Sequence, residues 1–286
     1  MSLVETAPTP LPGRFARLRR EIPASLVVGG TLTLAWILVA LGAPLLTSYD
    51  PLKVDVLQAL RAPGAEHWLG ADAIGRDVFA RIIYGARYDL AMAFFGVVGP
   101  IIVGSIVGLI GGYFGGRIDA WLMRFLEVTV SFPYFVLVIA IVAVLGPGLG
   151  SYFISLTLVN WVSYTRLLRS QALVLRNVDF VLAARGMGFS HRRIMLFHVL
   201  PNAIIPSVVF VMTDAVLTIV LGSSLGFLGL GVLPPTPEWG AMMADGKTYM
   251  ASAWWISVFP GIAVCTLALG LSLVADGLAR LLNTGP

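Results

Sequence analysis

The chain has 286 residues, 58% of them hydrophobic and only 12% charged, with a mean hydropathy of +0.89. That is more apolar surface than one soluble core can hide, so composition excludes a soluble globular domain and predicts an all-α integral membrane protein. The formal charge of +4 comes without aromatic and basic residues interleaved on a soluble face, which argues against a nucleic-acid partner. The one cysteine, Cys265, permits no intrachain disulfide.

In chain order, residues 1–23 read as a cytoplasmic tail, disordered over the proline-rich Met1–Pro12 stretch. Arg14, Arg17, Arg19 and Arg20 then precede an apolar run of about 22 residues, longer than the core of roughly 7 to 15 in a signal peptide, so 24–46 is expected to be an uncleaved anchor. Crossing a bilayer takes roughly 20 apolar residues. Six runs qualify: 25–46, 88–111, 119–145, 149–168, 203–225 and 254–274. The fourth has the shortest uncharged part and spans only if Arg166 snorkels to the interface; otherwise five spans remain. With the N-terminus inside, Lys53, Arg61, Arg76, Arg81, Arg87 and Lys247 fall outside and the rest of the 19 Lys and Arg fall inside. This bias supports cytoplasmic N- and C-termini.

Residues 47–87 form the largest external loop, expected to carry a turn and then an amphipathic surface helix, with Asp77 and Arg81 spaced to pair. In the second span Gly96, Pro100, Gly104, Gly108, Gly112 and Gly116 follow at four-residue steps, a smooth face against which another helix can pack closely, more plausibly within this chain than across a dimer seam. In the last external loop, 226–250, the segment Pro234-Pro-Thr-Pro-Glu-Trp-Gly is expected to be a rigid, non-helical cap.

Motifs for chemistry are scarce. Gly240 to Thr248 resembles a phosphate loop but is one residue too long and follows no strand. His67, His191 and His198 do not converge at metal-ligand spacing, so no metal site is expected. No Ser, His and carboxylate set falls at one depth, which argues against an enzyme. Of the charges within spans, Arg124 with Glu127 and Asp276 with Arg280 can neutralise each other. Asp214 has no basic residue within a turn; it must face the bundle interior or a wet path. Lining a solute pathway and making a buried interhelical hydrogen bond weigh equally, and the expectation adopted is pathway lining.

The most informative stretch is 180–201. Arg176, Arg185, Arg192 and Arg193 keep it out of hydrocarbon, where a central arginine costs about 3 kcal/mol, so it lies in the cytoplasm between two spans. Asn177 or Asp179 can cap a first short helix, Ala183 and Ala184 offer a face without bulk, Gly188 permits a turn before a second helix, and Pro201 can open the next span. Such helices, at 177–200, make a rigid knob for a groove in a soluble protein or a basic helix resting on anionic membrane lipid; spacing alone favours neither.

Leu182-Ala-Ala, Gly188 and Leu200-Pro201 resemble the EAA motif of ABC-importer permeases, with Leu182 in place of the glutamate and His198 in the His-x-Leu-Pro-Asn form of the peptide and nickel branch. Leu69-Gly-Ala-Asp-x-x-Gly-Arg-Asp, Phe227-Leu-Gly-Leu-Gly, Pro234-Pro-Thr-Pro-Glu-Trp-Gly and Asp276-Gly-Leu are similar to the second permease subunit of the oligopeptide, dipeptide, nickel and glutathione importers, from about Pro23 to Asn283. The resemblance implies a type I importer transmembrane domain with its core at 88–283, in a bacterial or archaeal plasma membrane. It implies a related second permease, two ATPase subunits that bind ATP and Mg, and an extracytoplasmic solute-binding protein, with no cofactor in this chain. It further implies that Ala183, Ala184, Gly188, Arg192 and Pro201 lie on the ATPase-docking element, with Gly188 as its hinge. The alternative is an ion-coupled transporter or channel acting alone, which should carry internal repeats, and no convincing one is found.

Overall fold

A computed structural model describes residues 22–283; the N-terminal tail and its four arginines lie outside the described residues. Among those described the chain is helical, with no strand. Helix α1 (Ala24–Leu41) is followed by the short α2 (Ala43–Leu46), so the anchor expected over 24–46 divides at Gly42. Then come α3 (Val78–Phe114), α4 (Gly116–Val130), α5 (Tyr134–Leu145), α6 (Leu149–Leu175), the short α7 (Asp179–Gly186), α8 (His191–Ile194) and α9 (Leu200–Ala203), then α10 (Ile205–Phe227), α11 (Trp239–Gly246) and α12 (Trp255–Asn283).

Among the described residues four helices are long and apolar enough to cross a membrane: α1, α3, α10 and α12. The run expected over 119–145 is not one straight span: α4 and α5 meet at 84° around Ser131–Pro133, where Pro133 cannot continue the helix, and together they make a fifth crossing if the bent pair counts as one. Helix α6, at 27 residues about 40 Å long, has the length to cross but not the apolarity of the other spans. It is less apolar because its polar residues serve neighbours: Asn160 bonds to Asp214 and Arg169 to Asp119, while Arg166 is exposed.

The expected surface helix and second span are one continuous helix, the 37-residue α3. Its amphipathic start is buried by the 47–77 segment and the 228–254 cap, which fold over it. The glycine ladder does pack helix on helix within the chain. A Cβ on Gly104, Gly108 or Gly112 would stand 2.5, 2.6 or 2.7 Å from atoms of α6, so only hydrogen lets the two backbones approach this closely. Gly116 lies outside the ladder, as the first residue of α4. Similarly, a Cβ at Gly29 would meet the Gly270 carbonyl at 2.6 Å, which sets α1 against α12. The largest apolar cluster joins α1, α3, α10, α11 and α12 around the fully buried Trp239, whose indole N–H donates to the Ile82 carbonyl at 3.0 Å.

Candidate functional site

Three sets of residues stand out: the knob between α6 and α10, the polar contact at Asp214, and a charge lattice where the 47–77 segment, α3 and the 228–254 cap meet.

The knob begins after Arg176. Val178 occupies the cap position of α7 without a side-chain bond, so neither Asn177 nor Asp179 caps it; Asp179 instead lies in the first turn, where a carboxylate faces the positive end of the helix dipole. The helix ends in a left-handed turn at Gly188 (φ +77°), with Gly188 N–H on the Arg185 carbonyl at 2.9 Å and Phe189 N–H on the Ala184 carbonyl at 3.2 Å. Ser190 Oγ then accepts the Arg193 N–H and starts α8. Met195–Val199 forms a π-helical turn into α9. Pro201 has no N–H to extend the ladder and sits in α9, so the span is opened by Pro206 in the first turn of α10. Asn202 Nδ2 donates to the His198 backbone carbonyl at 2.7 Å, a local reason for the asparagine at this spacing.

Val181, Ala184, Ile194, Val199 and Ala203 face inward and form one cluster with Leu109, Tyr113, Leu168 and Ala172 of α3 and α6. The two alanines therefore divide: Ala183 is exposed, Ala184 is 1% exposed and packed inward. Outward, besides Ala183, Gly188 and Arg192, the knob shows Leu182, Met187, Leu196 and Phe197, at 47, 65, 48 and 72% exposure. This apolar outer face was not read from the sequence, where arginines dominated the stretch; four apolar side chains on so small a surface were the available signal.

Asp214 is buried in α10. Its Oδ1 accepts from Asn160 Nδ2 at 3.1 Å and its Oδ2 from the Tyr164 hydroxyl at 2.9 Å, both on α6. The interhelical bond is therefore present. Asp119, at the start of α4, is held bidentately by Arg169 at 2.5 and 2.6 Å, a partner found only through the fold. Arg124 with Glu127 and Asp276 with Arg280 pair as spaced, at 3.5 and 3.1 Å, on exposed surface.

The lattice at the opposite end accounts for Leu69-Gly-Ala-Asp-x-x-Gly-Arg-Asp. Gly70 and Gly75 take positive φ (+80° and +79°). Asp72 Oδ1 accepts the N–H groups of Ile74 and Arg76, and its Oδ2 meets Arg76 Nε at 2.5 Å and Arg81 Nε at 3.7 Å. Asp77 does not pair with Arg81. It caps α3 through Ala80 N–H at 2.6 Å and binds His67 Nδ1 at 2.8 Å, leaving Arg81 for Asp72 and the carbonyls of Pro51 and Pro235. Arg76 reaches Asp245 of α11 at 3.3 Å, and Trp255 Nε1 bonds the Ala71 carbonyl at 3.1 Å. The cap, expected to be non-helical at 234–240, stays so only as far as Glu238; Glu238 then starts α11 by accepting Gly240 N–H at 2.7 Å and Ala241 N–H at 2.8 Å. Asp89 of α3 accepts Trp239 N–H at 3.3 Å, so two carboxylates share the first three amides of α11. Burial pushes the Glu238 carboxyl up to about 7, against the pull of its two N–H donors.

Among the described residues no group of three or more His, Cys, Asp or Glu is placed to hold a metal. The model of the binding-protein-dependent transport system inner membrane component family matches residues 101–285, the knob included. The chain belongs to this family. Like its members it is a multi-pass inner-membrane component, a permease fold with several apolar helices. Among its relatives, a dipeptide transport system permease protein DppC of Alkalihalophilus pseudofirmus is 40% identical over 97% of this chain and 91% of that one. A probable D,D-dipeptide permease of Escherichia coli is 36% identical, and a glutathione permease of Pectobacterium atrosepticum 35%, each over 90% of this chain and 86% of the relative. The inward-facing MetNI methionine ABC transporter shares the fold, with a TM-score of 0.56 at 16% identity over 70% of this chain and 95% of that one.

Proposed function

We propose that this chain is one pore-forming permease subunit of an ATP-driven importer, taking up peptides or related small solutes delivered by a binding protein. The observation that carries the reading is the knob: two short helices, braced on α3 and α6 by one apolar cluster, that present an apolar and basic outer face between two membrane-crossing helices. A basic helix resting on lipid would turn its apolar face into the membrane; here the inner apolar face is already taken up by the protein, and Leu182, Met187, Leu196 and Phe197 are left exposed among the arginines. Such a face fits a groove on a soluble partner.

On this reading the knob is cytoplasmic, both termini are cytoplasmic, and the 47–77 segment and the cap face outward. The partners are a homologous second permease, two ATPase subunits that bind ATP and Mg, and a solute-binding protein. ATP hydrolysis belongs to those partners, and this chain carries no catalytic group of its own. Ala183, Gly188 and Arg192 lie on the docking face, Ala184 shapes it from beneath, and the exposed Pro201 closes the element in α9. Nucleotide-driven closure of the ATPase pair moves the knob, and differential contacts in the two states switch the spans between inward and outward opening. Asp214 is assigned to the solute path, held in place by Asn160 and Tyr164.

Gentle purification of the tagged chain from its own membrane, with mass spectrometry of what accompanies it, tests the reading. Recovery of a second permease and ATPase chains is expected. Recovery of the chain alone, with solute flux surviving ATP depletion, would replace it with the ion-coupled reading.

A further inference from the structure

Helices α6 and α10 are joined to the knob by the chain itself; α3 is not. Apart from what α6 passes on through the glycine ladder, the force that the knob exerts directly on α3 must pass through side chains. The buried α3 members of the knob cluster are Leu109 and Tyr113, and of these Tyr113 makes directional bonds. It is 3% exposed at the last turn of α3. Its hydroxyl lies 2.9 Å from His191 Nδ1 on α8 and accepts from Arg185 Nε on α7 at 3.4 Å. The Arg185 guanidinium also stands over the Tyr113 ring, 4.8 Å from its centre. One side chain of α3 thus grips both helices of the knob, on either side of the Gly188 turn.

The far end of α3 is clasped just as specifically. Arg81 donates to the Pro235 carbonyl, Asp89 accepts Trp239 N–H, and the Ile82 carbonyl accepts the Trp239 indole N–H, all from the cap. Both clasps lie on the same helix, α3, which is 37 residues and about 55 Å long in all and continues through Pro100, where one ladder bond is missing.

We propose that Tyr113 is the joint through which the knob drives α3, and that α3 carries the displacement to the cap. This rests on the importer reading and deepens it. Tyr113 is a positioning residue: it touches neither solute nor nucleotide. The joint is specific because the ring is packed while the hydroxyl sits between two basic side chains on separate helices, so neither knob helix can shift without displacing the end of α3 or breaking a bond. The cap then responds to nucleotide state although it lies a full helix length from the ATPase surface.

The test uses the complex purified with its own pore partner and ATPase chains, and follows amide hydrogen exchange of residues 228–254 with and without ATP, magnesium and vanadate. In the wild-type complex, nucleotide is expected to change exchange in the cap. Tyr113→Leu should leave the copurified chains, basal ATP hydrolysis and nucleotide-free exchange unchanged while reducing the nucleotide-induced change by roughly tenfold, within the ordinary range of coupling between two sites. Tyr113→Phe, which keeps the packing and the ring beneath Arg185, should lose part of it. A response equal to wild type in both variants overturns the proposal, as does a wild-type cap that ignores nucleotide. If the leucine protein fails to assemble, the phenylalanine variant decides alone, and an undiminished response in it overturns the proposal. Failure of wild-type chain to bring ATPase subunits with it counts instead against the importer reading.

Discussion

Glu238 offers a quantitative test of how the cap is held. Its side chain is fully buried, both oxygens are bonded to amides of α11, and Asp89 approaches the same helix start. Burial moves its carboxyl from an ordinary 4.5 to about 7, so the folded cap holds a proton that the unfolded chain releases. At about 1.4 kcal/mol per pH unit, that difference is worth roughly 3 kcal/mol. The sign follows from proton binding: between 4.5 and about 7 the folded state binds more protons, so stability falls as pH rises, and the penalty is complete above about 7. Two measurements on detergent-solubilised protein at pH 4.5 to 8 read this directly: the thermal midpoint, and the rate of proteolysis within 228–254. Wild type should lose stability and gain cleavage in the cap across that window. Glu238→Gln cannot ionise, and although it forfeits one N–H acceptor, costing about 1 kcal/mol, its profile should be at most half as steep. An equal slope in wild type and Glu238→Gln would refute the argument, because the proton would then be binding elsewhere.

Other consequences are equally concrete. Gly104→Ala places a Cβ 2.5 Å from the Trp161 carbonyl of α6 and should cost about 2 kcal/mol or more in thermal unfolding, whereas Gly30→Ala, with nothing within 4 Å, should be neutral or slightly stabilising. Gly188→Val forces a β-branched residue to φ +77° and should cost about 1 to 2 kcal/mol; if Gly188 is the hinge of the knob, solute-stimulated ATP hydrolysis falls too, and intact stimulation removes that role. Asp214→Leu leaves the Tyr164 hydroxyl and the Asn160 amide without their buried acceptor, at about 1 to 3 kcal/mol each. Uptake unchanged in a folded Asp214→Leu protein would remove Asp214 from the solute path.

Much of this protein is legible from one-dimensional pattern. A strongly apolar chain leaves no soluble option, and arginines cannot lie in hydrocarbon, so spans and the basic insert between them follow from transfer energy alone. The glycine ladder announced close packing because a missing Cβ is a property of the residue itself. The turn at Gly188 was visible for the same reason. Other features depended on where distant segments fall. Asp77 sits four residues from Arg81, yet the folded chain brings His67 and a helix start to Asp77, and Asp72 to Arg81; sequence spacing offers candidate partners, and packing chooses among them. Asp119 finds Arg169, and Asp214 finds Asn160 and Tyr164, across some fifty residues of chain. Residues 78–87 lie inside the protein because distant segments cover their polar side: Asp72 pairs with Arg81, and the carbonyls of Pro51 and Pro235 accept from it. Local energetics decide which segments become helices and which avoid lipid; the pairing of buried charges and the direction each knob residue faces arise from long-range contacts that no local preference encodes.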